Sequence, residues 1–328
     1  MAMTMAMATS ACKGVLLMAF VAATTSLAGS LQYDFYRSSC PKAEEAVRNA
    51  TQEIILKDPT MGAAFMRLFF HDCFVKGCDA SILLDRSNSN PQPEKIAIPL
   101  RGYDAVNKIK AAVEAVCPGV VSCADILAFA ARDSAIISGS FGFAMPAGRR
   151  DGLNSSTFDV GQGIPSPSFQ VQDLIKSFAA KGLSAVDLVA LSGAHSFGQT
   201  HCSFVTGRLY PTVDPTMNAT FAEALKKVCP PPSSGGGGRV LNNNRVTDPN
   251  EMSNQYYSNL NSKQVLFTSD QTLLSSNETA KMVKENADNP IAWMARFAGA
   301  LVNMGKIEVL TGTAGEVRKV CNATNSGS

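Results

Sequence analysis

Apolar side chains recur three and four positions apart through most of the sequence, the period of a helix with one buried face. The segments PKAEEAVRNATQEIIL, MGAAFMRLFFH, YDAVNKIKAAVEAV, SCADILAFAARDSAII, FQVQDLIKSFAAKG, SAVDLVALSG and NPIAWMARFAGALVNMG all carry it. Ser122 with Asp125 and Ser184 with Asp187 have the spacing of capping boxes, and Gly182, Gly193 and Gly305 fall where helices should stop. Strand signals are few and short. The pattern predicts a mainly α fold.

Proline, glycine and asparagine crowd into RSNSNPQPEK, GRRDGLNSSTFDVGQGIPSPS and CPPPSSGGGGRVLNNNRVTDPN, which read as loops. The last has the composition of a domain linker. Helices and cysteines continue on both sides of it, so it is expected to be a long loop within one compact unit. No internal repeat is visible.

The leader changes how the cysteines are read. Residues 1–30 carry one charge, Lys13, then the apolar run GVLLMAFVAA and the small residues TTSLAGS, the pattern of a secretory signal. The run is too short to span a bilayer. Removing it leaves residues 31–328 as the mature part, with eight cysteines at positions 40, 73, 78, 117, 123, 202, 229 and 321. An even count in a secreted chain predicts four disulfides, and spacing alone suggests only the local Cys73–Cys78 loop. A zinc site is disfavoured because no CxxC pair occurs. N-x-S/T sequons at Asn49, Asn154, Asn218, Asn277 and Asn322 agree with a glycosylating pathway. The formal charge of +2 offers no basic field for nucleic acid.

Candidate chemistry is concentrated in RLFFHDCFVKGCDAS, residues 67–81, and in the three histidines, His71, His195 and His201. Arg67 and His71 are four apart and share a helix face. A structural arginine paired with an acid elsewhere is the bland alternative. A fixed cation beside a neutral imidazole suits peroxide cleavage, where a base moves a proton between the two oxygens while the cation stabilises developing charge. At a haem, that chemistry also needs an axial histidine whose far nitrogen donates to a carboxylate. His195 in LVALSGAHSFG, after an apolar helix and a glycine turn, is the candidate ligand. Asp270 in VLFTSDQTLL is its candidate partner. His201 reads as a structural or surface residue.

RLFFHDCFVKGCDASILL, VSCADILAFAARD, PAGRRDG, DLVALSGAHSFG and VLFTSDQ, in that order, resemble the signature segments of secretory plant-type haem peroxidases, the class III family. The resemblance covers essentially the whole mature chain. It implies two helical lobes enclosing haem b, with few short strands and the bridges Cys40–Cys117, Cys73–Cys78, Cys123–Cys321 and Cys202–Cys229. It makes Arg67 the transition-state stabiliser, Phe70 a wall of the distal pocket, His71 the distal acid and base, His195 the axial ligand and Asp270 its partner. Pro165 in GIPSPS becomes a donor contact at the haem edge. The implied reaction reduces hydrogen peroxide to water and oxidises phenols or other aromatic donors one electron at a time. Two calcium ions are expected. The distal one would use Asp72, Asp79 and Ser81, the Val75 and Gly77 carbonyls, and Glu94 through water, a hard-oxygen set suited to the ion. The proximal one would use Ser196, Thr247 and Asp248. A secreted monomer, in the cell wall or vacuole, with no membrane span and no nucleic-acid partner, is expected.

Three features depart from the family pattern. In EKIAIPLRGY, the asparagine that normally accepts from the distal histidine is deleted, which predicts a substitute carbonyl or a weaker base at His71. Arg245 and Ser253 stand where the outer aspartates of the proximal calcium site should be. Asn244 replaces a ring that often stacks beneath the axial imidazole. The deletion motivates a rival reading, a haem- and calcium-binding member with weakened catalysis and a binding or structural role. A secreted serine hydrolase is a second rival, but no GxSxG motif supports it.

Overall fold

Every apolar stripe at helical spacing in the sequence is a helix in the structure, a computed structural model describing residues 30–98, 100–242 and 248–326. The leader predicted over 1–30 falls, except for Ser30, outside the described residues. In chain order the α-helices are α1 (Ala43–Lys57), α2 (Met61–Val75), α3 (Glu94–Ala97), α4 (Tyr103–Glu114), α5 (Cys123–Ile137), α6 (Thr157–Gly163) and α7 (Val171–Ala180). There follow α8 (Ala185–Ser192), α9 (Ala219–Val228), α10 (Gln255–Asn261), α11 (Thr268–Gln271), α12 (Asn277–Asp288) and α13 (Pro290–Met304). The strands among the described residues are β1 (Gln199–His201) and β2 (Val240–Asn242), an antiparallel pair with Thr200 opposite Leu241. The fold is mainly α, as the pattern predicts.

Helix α5 is the centre. All its residues from Cys123 to Ala135 are buried, and α1, α2 and α4 pack on it. A helix with apolar residues on every side belongs in a core. Its alanines at 124, 128, 131 and 135 leave room for close neighbours. Arg132, also buried, reaches Glu44 of α1 at 2.5 Å and Asp133 at 2.9 Å, so the charge is fully paired. One contiguous core runs from Tyr36 to Cys321, and a smaller one gathers around Cys202 and Cys229.

The four bridges form with the implied pairing, Cys40–Cys117, Cys73–Cys78, Cys123–Cys321 and Cys202–Cys229. Near Cys321, the buried Arg318 donates to the carbonyls of Ala80, Gly152 and Cys321 at 2.9, 2.6 and 2.9 Å. That one guanidinium ties a late segment to the loop after α2.

Two local expectations change. Ser184 and Asp187 form a complete capping box, but at Ser122 only half of one exists. The Asp125 carboxylate is taken instead by Arg149 at 2.7 Å and Tyr36 at 2.7 Å. Burial makes that ion pair a better use of the charge than one more capping bond. The stretch GRRDGLNSSTFDVGQGIPSPS also contains a helix, α6, started by Ser156, whose side chain accepts from the Phe158 amide. Likewise β2 lies inside CPPPSSGGGGRVLNNNRVTDPN, held by its pairing with β1.

Candidate active site

On α2, Arg67 and His71 lie one turn apart, and the guanidinium acts electrostatically on the imidazole. His71 is 4% exposed. Burial, and then the Arg67 charge, push its pKa down to about 3, so the ring is neutral and able to accept a proton. Arg67 is exposed and has no carboxylate partner among the described residues. The Phe70 ring stands edge-on to His71 at 5.4 Å and meets Phe74 at 4.5 Å, which fixes the imidazole from one side. The Nδ1 atom of His71 is buried with no hydrogen-bond partner among the described residues. Among the described residues, no carbonyl replaces the deleted asparagine there.

His195 is placed by the end of α8. In the last turn of α8 the Val189 carbonyl accepts from Tyr257 Oη at 2.8 Å, and the Ala190 carbonyl, already bonded to the Gly193 amide, also accepts from Trp293 Nε1 at 3.3 Å. These rings come so near that a Cβ on Gly193 would lie 2.6 Å from Trp293 Nε1, and only glycine fits. At Gly198, with φ +84°, the chain turns into β1, and an added Cβ there would be 2.7 Å from Ala63 Cβ of α2. The segment carrying His195 is therefore seated directly on the helix carrying Arg67 and His71.

His195 Nδ1 and Asp270 Oδ1 are 2.7 Å apart. Asp270 is buried, whereas the His195 side chain is 41% exposed, so the ring is tethered at one nitrogen and open at the other. Its Nε2 has no hydrogen bond among the described residues. A cavity lined by His195, Tyr256, Asn259, Phe267 and Asp270 adjoins the pair. The Phe267 ring stands edge-on to the imidazole at 5.1 Å and Tyr256 at 6.3 Å. Asn244 lies outside the described residues, and these two rings flank the imidazole. Tyr256 Oη also donates to Asp270 Oδ1, at 2.9 Å, with its pKa raised by burial and by that carboxylate. Sequence reading missed Tyr256 and the Tyr257–Trp293–Gly193 contact. The only signal was the QYY pair, which helical spacing alone does not aim at a carboxylate.

At the end of α2 and beyond it, Asp72, Asp79, Ser81 and Glu94 are all buried. Asp72 accepts from the Ala80 amide at 3.0 Å and Asp79 from the Ser81 amide at 2.9 Å. The Gly77 carbonyl accepts from the Asp79 amide at 2.8 Å and the Val75 carbonyl from Lys181 at 3.4 Å, each with a second lone pair to spare. Ser81 Oγ and Glu94 Oε2 are buried with no partner among the described residues. Burial and the neighbouring Asp79 raise the Asp72 carboxyl well above the usual range, burial raises Asp79, and burial raises Glu94 to about 7. Among the described residues no three acidic, histidine or cysteine side chains converge as a ready-made metal cluster. The donor set instead mixes carboxylates, a hydroxyl and carbonyls, and its unpaired oxygens and crowded negative charge suit a hard cation.

The proximal set is thinner. Ser196 Oγ is buried but accepts from the Ser253 amide at 3.0 Å, and Asp248 is exposed and accepts from the Asn250 amide at 2.8 Å. Arg245 and Thr247 lie outside the described residues. Pro165 is half-buried, and its loop is tied to the segment of Asp270 by the Ser269 amide, which donates to the Pro167 carbonyl at 2.9 Å. His201 is exposed at the end of β1, as read from the sequence.

A neutral histidine and an arginine thus lie on one helix, packed against a segment that presents a carboxylate-tethered histidine. Residues 47–289 match the peroxidase family. Over 318 residues the chain is 46% identical to Peroxidase 2 of Zea mays, covering 95% of this chain and 94% of that protein. It is 41% identical to Peroxidase 5 of Vitis vinifera over 94% of this chain and 95% of that one. With cationic peroxidase SPC4 of Sorghum bicolor it shares 42% over 92% and 83%. The chain belongs to the plant peroxidase family, class III, and is a haem peroxidase.

Proposed function

We propose that this protein is a secreted peroxidase that reduces hydrogen peroxide to water and oxidises phenolic or similar aromatic donors in one-electron steps. Haem b, when bound, supplies the iron at which peroxide is reduced and which holds the oxidising equivalents that donors then remove. His195 would hold the iron through Nε2, and Asp270 would keep the Nδ1 proton in place and strengthen the ring as a ligand. His71, neutral because it is buried beside Arg67, takes the proton from one peroxide oxygen and gives it to the departing one. Arg67 stabilises negative charge on the separating oxygens. Donors approach near Pro165 and give up one electron each. Asp72, Asp79, Ser81, Glu94 and the Val75 and Gly77 carbonyls would hold calcium, steadying the end of α2 beside His71. A second ion at Ser196, Thr247 and Asp248 is proposed on the family resemblance.

The observation that carries this reading is the 2.7 Å pair of His195 and Asp270, with the far ring nitrogen left open. Stopped-flow mixing of the haem-loaded protein with peroxide, then with a panel of phenols, tests it. Rapid reaction followed by reduction by phenols is expected, with the first step lost in His71→Ala. The His71 Nδ1, without a partner among the described residues, favours one rival, a haem- and calcium-binding protein with weakened catalysis. A haem-loaded wild type that reacts no faster than His71→Ala would establish that rival.

A further inference from the structure

We infer that Tyr256 is a positioning residue for the axial histidine, its phenol setting how much negative charge Asp270 can lend to His195. The inference rests on His195 being the iron ligand. The Asp270 carboxylate accepts three hydrogen bonds. His195 Nδ1 lies 2.7 Å and Tyr256 Oη 2.9 Å from the same oxygen, Oδ1, while the Phe267 amide donates to Oδ2 at 3.2 Å. Two donors on one oxygen draw on the same electron density. The phenol therefore weakens the hold of Asp270 on the imidazole proton and makes the ring less imidazolate-like. Hydrogen bonding around an axial ligand is one of the protein's levers on iron potential.

The phenol has a charged acceptor in Asp270, and in the Ser192 hydroxyl only a neutral and weaker one. Tyr256 is 2% exposed, and its ring stands edge-on to Tyr257 at 5.0 Å. Its other polar neighbour, Ser192, donates its own proton to the Leu188 carbonyl at 2.8 Å. Turning to that hydroxyl would exchange a charge-assisted bond for a neutral one. The same ring, with Phe267, flanks the imidazole, so it contributes orientation as well as charge. Substitution by phenylalanine separates the two roles, because it keeps the ring and removes only the donor.

The test is the ferric/ferrous midpoint potential and the iron–histidine stretching frequency of the haem-loaded Tyr256→Phe protein. With the donor gone, all the charge on Oδ1 serves His195 and the ferric form is favoured. A shift of about tenfold in the ferric/ferrous equilibrium is expected, which for one electron lowers the potential by about 59 mV. The stretching frequency should rise with it. Site-specific 3,5-difluorotyrosine at position 256, a stronger donor, should move both readouts the opposite way. It decides the matter alone if Tyr256→Phe fails to retain haem. Unmoved or reversed values in a protein whose wild type shows the iron–histidine band overturn this inference and leave the axial assignment standing. A haem-loaded wild type without that band overturns both.

Discussion

His71 carries two environments on one ring. Its burial and the charge of Arg67 keep it neutral, while the ring nitrogen that would fix its tautomer has nothing to bond among the described residues. Replacing His71 by alanine is expected to slow the reaction with peroxide by about a hundred- to ten-thousandfold, the usual worth of a positioned proton carrier. Single-mixing kinetics at varied peroxide would read this directly. Arg67→Lys should not be neutral, because an ammonium lacks the planar fork and delocalised charge of the guanidinium. An Arg67→Lys protein as fast as the wild type would show that only net charge matters there. Arg67, His71, His195 and Asp270 were legible as candidates because spacing and neighbouring residues are local properties. Tyr256 was not, since its meaning depends on a phenol meeting Asp270 fourteen residues away in a fold the sequence does not display.

At the scale of elements, α2 and the loop after it behave as one unit. Glu94, Asp72 and Asp79 have folded-state pKa values above their ordinary ones, Glu94 reaching about 7 from 4.5. Between those values the cation-free folded state binds more protons than the unfolded chain, so its stability falls as pH rises through the window. A bound calcium ion holds the carboxylates ionised and abolishes that loss. The gain in melting temperature from calcium over chelator should therefore be larger at about pH 8 than at about pH 5. His71 works in the opposite sense, losing stability as pH falls from 6.5 toward 3, but it does so equally in both arms and cancels in the difference. A pH-independent gain, or none, would contradict a calcium site at this loop.

The end of α8 makes a second prediction at this scale. Gly193→Ala would drive a methyl into Trp293 and Tyr257, the two side chains that donate to Val189 and Ala190. A loss of about 1–3 kcal/mol in denaturant unfolding is expected, typical of overpacking. The sequence showed that α8 stops at Gly193 but not why, because the close approach comes from helices far along the chain. Helix α12 was missed for a related reason. Of its twelve residues only Thr279, Val283 and Asn286 are buried, two of them polar, so no apolar stripe announces it.

For the whole molecule, the long-range ties outweigh the local ones. Cys123–Cys321 closes 198 residues of chain, whereas Cys73–Cys78 closes only 5. Replacing both Cys123 and Cys321 by serine is expected to cost about 2–5 kcal/mol, read as a lower midpoint in denaturant. The same change at the short loop should act mainly on calcium affinity, because it sits among the candidate ligands. Fold class and helix placement were legible from periodicity, while the pairing of most bridges was not, since spacing does not encode which distant cysteines meet.

Arg318 and Cys321 also impose an order in time. The carbonyl of Ala80 receives its guanidinium from a residue 238 positions later. At a synthesis rate of about 5–20 residues per second, the two are made on the order of ten to fifty seconds apart. Through that interval the nascent loop of Asp72, Asp79 and Ser81 is unlatched, and Cys123 is a thiol whose native partner does not yet exist, six residues from Cys117. Faithful oxidation of this protein is thus a race between Cys40, which can claim Cys117 early, and Cys123, which must wait.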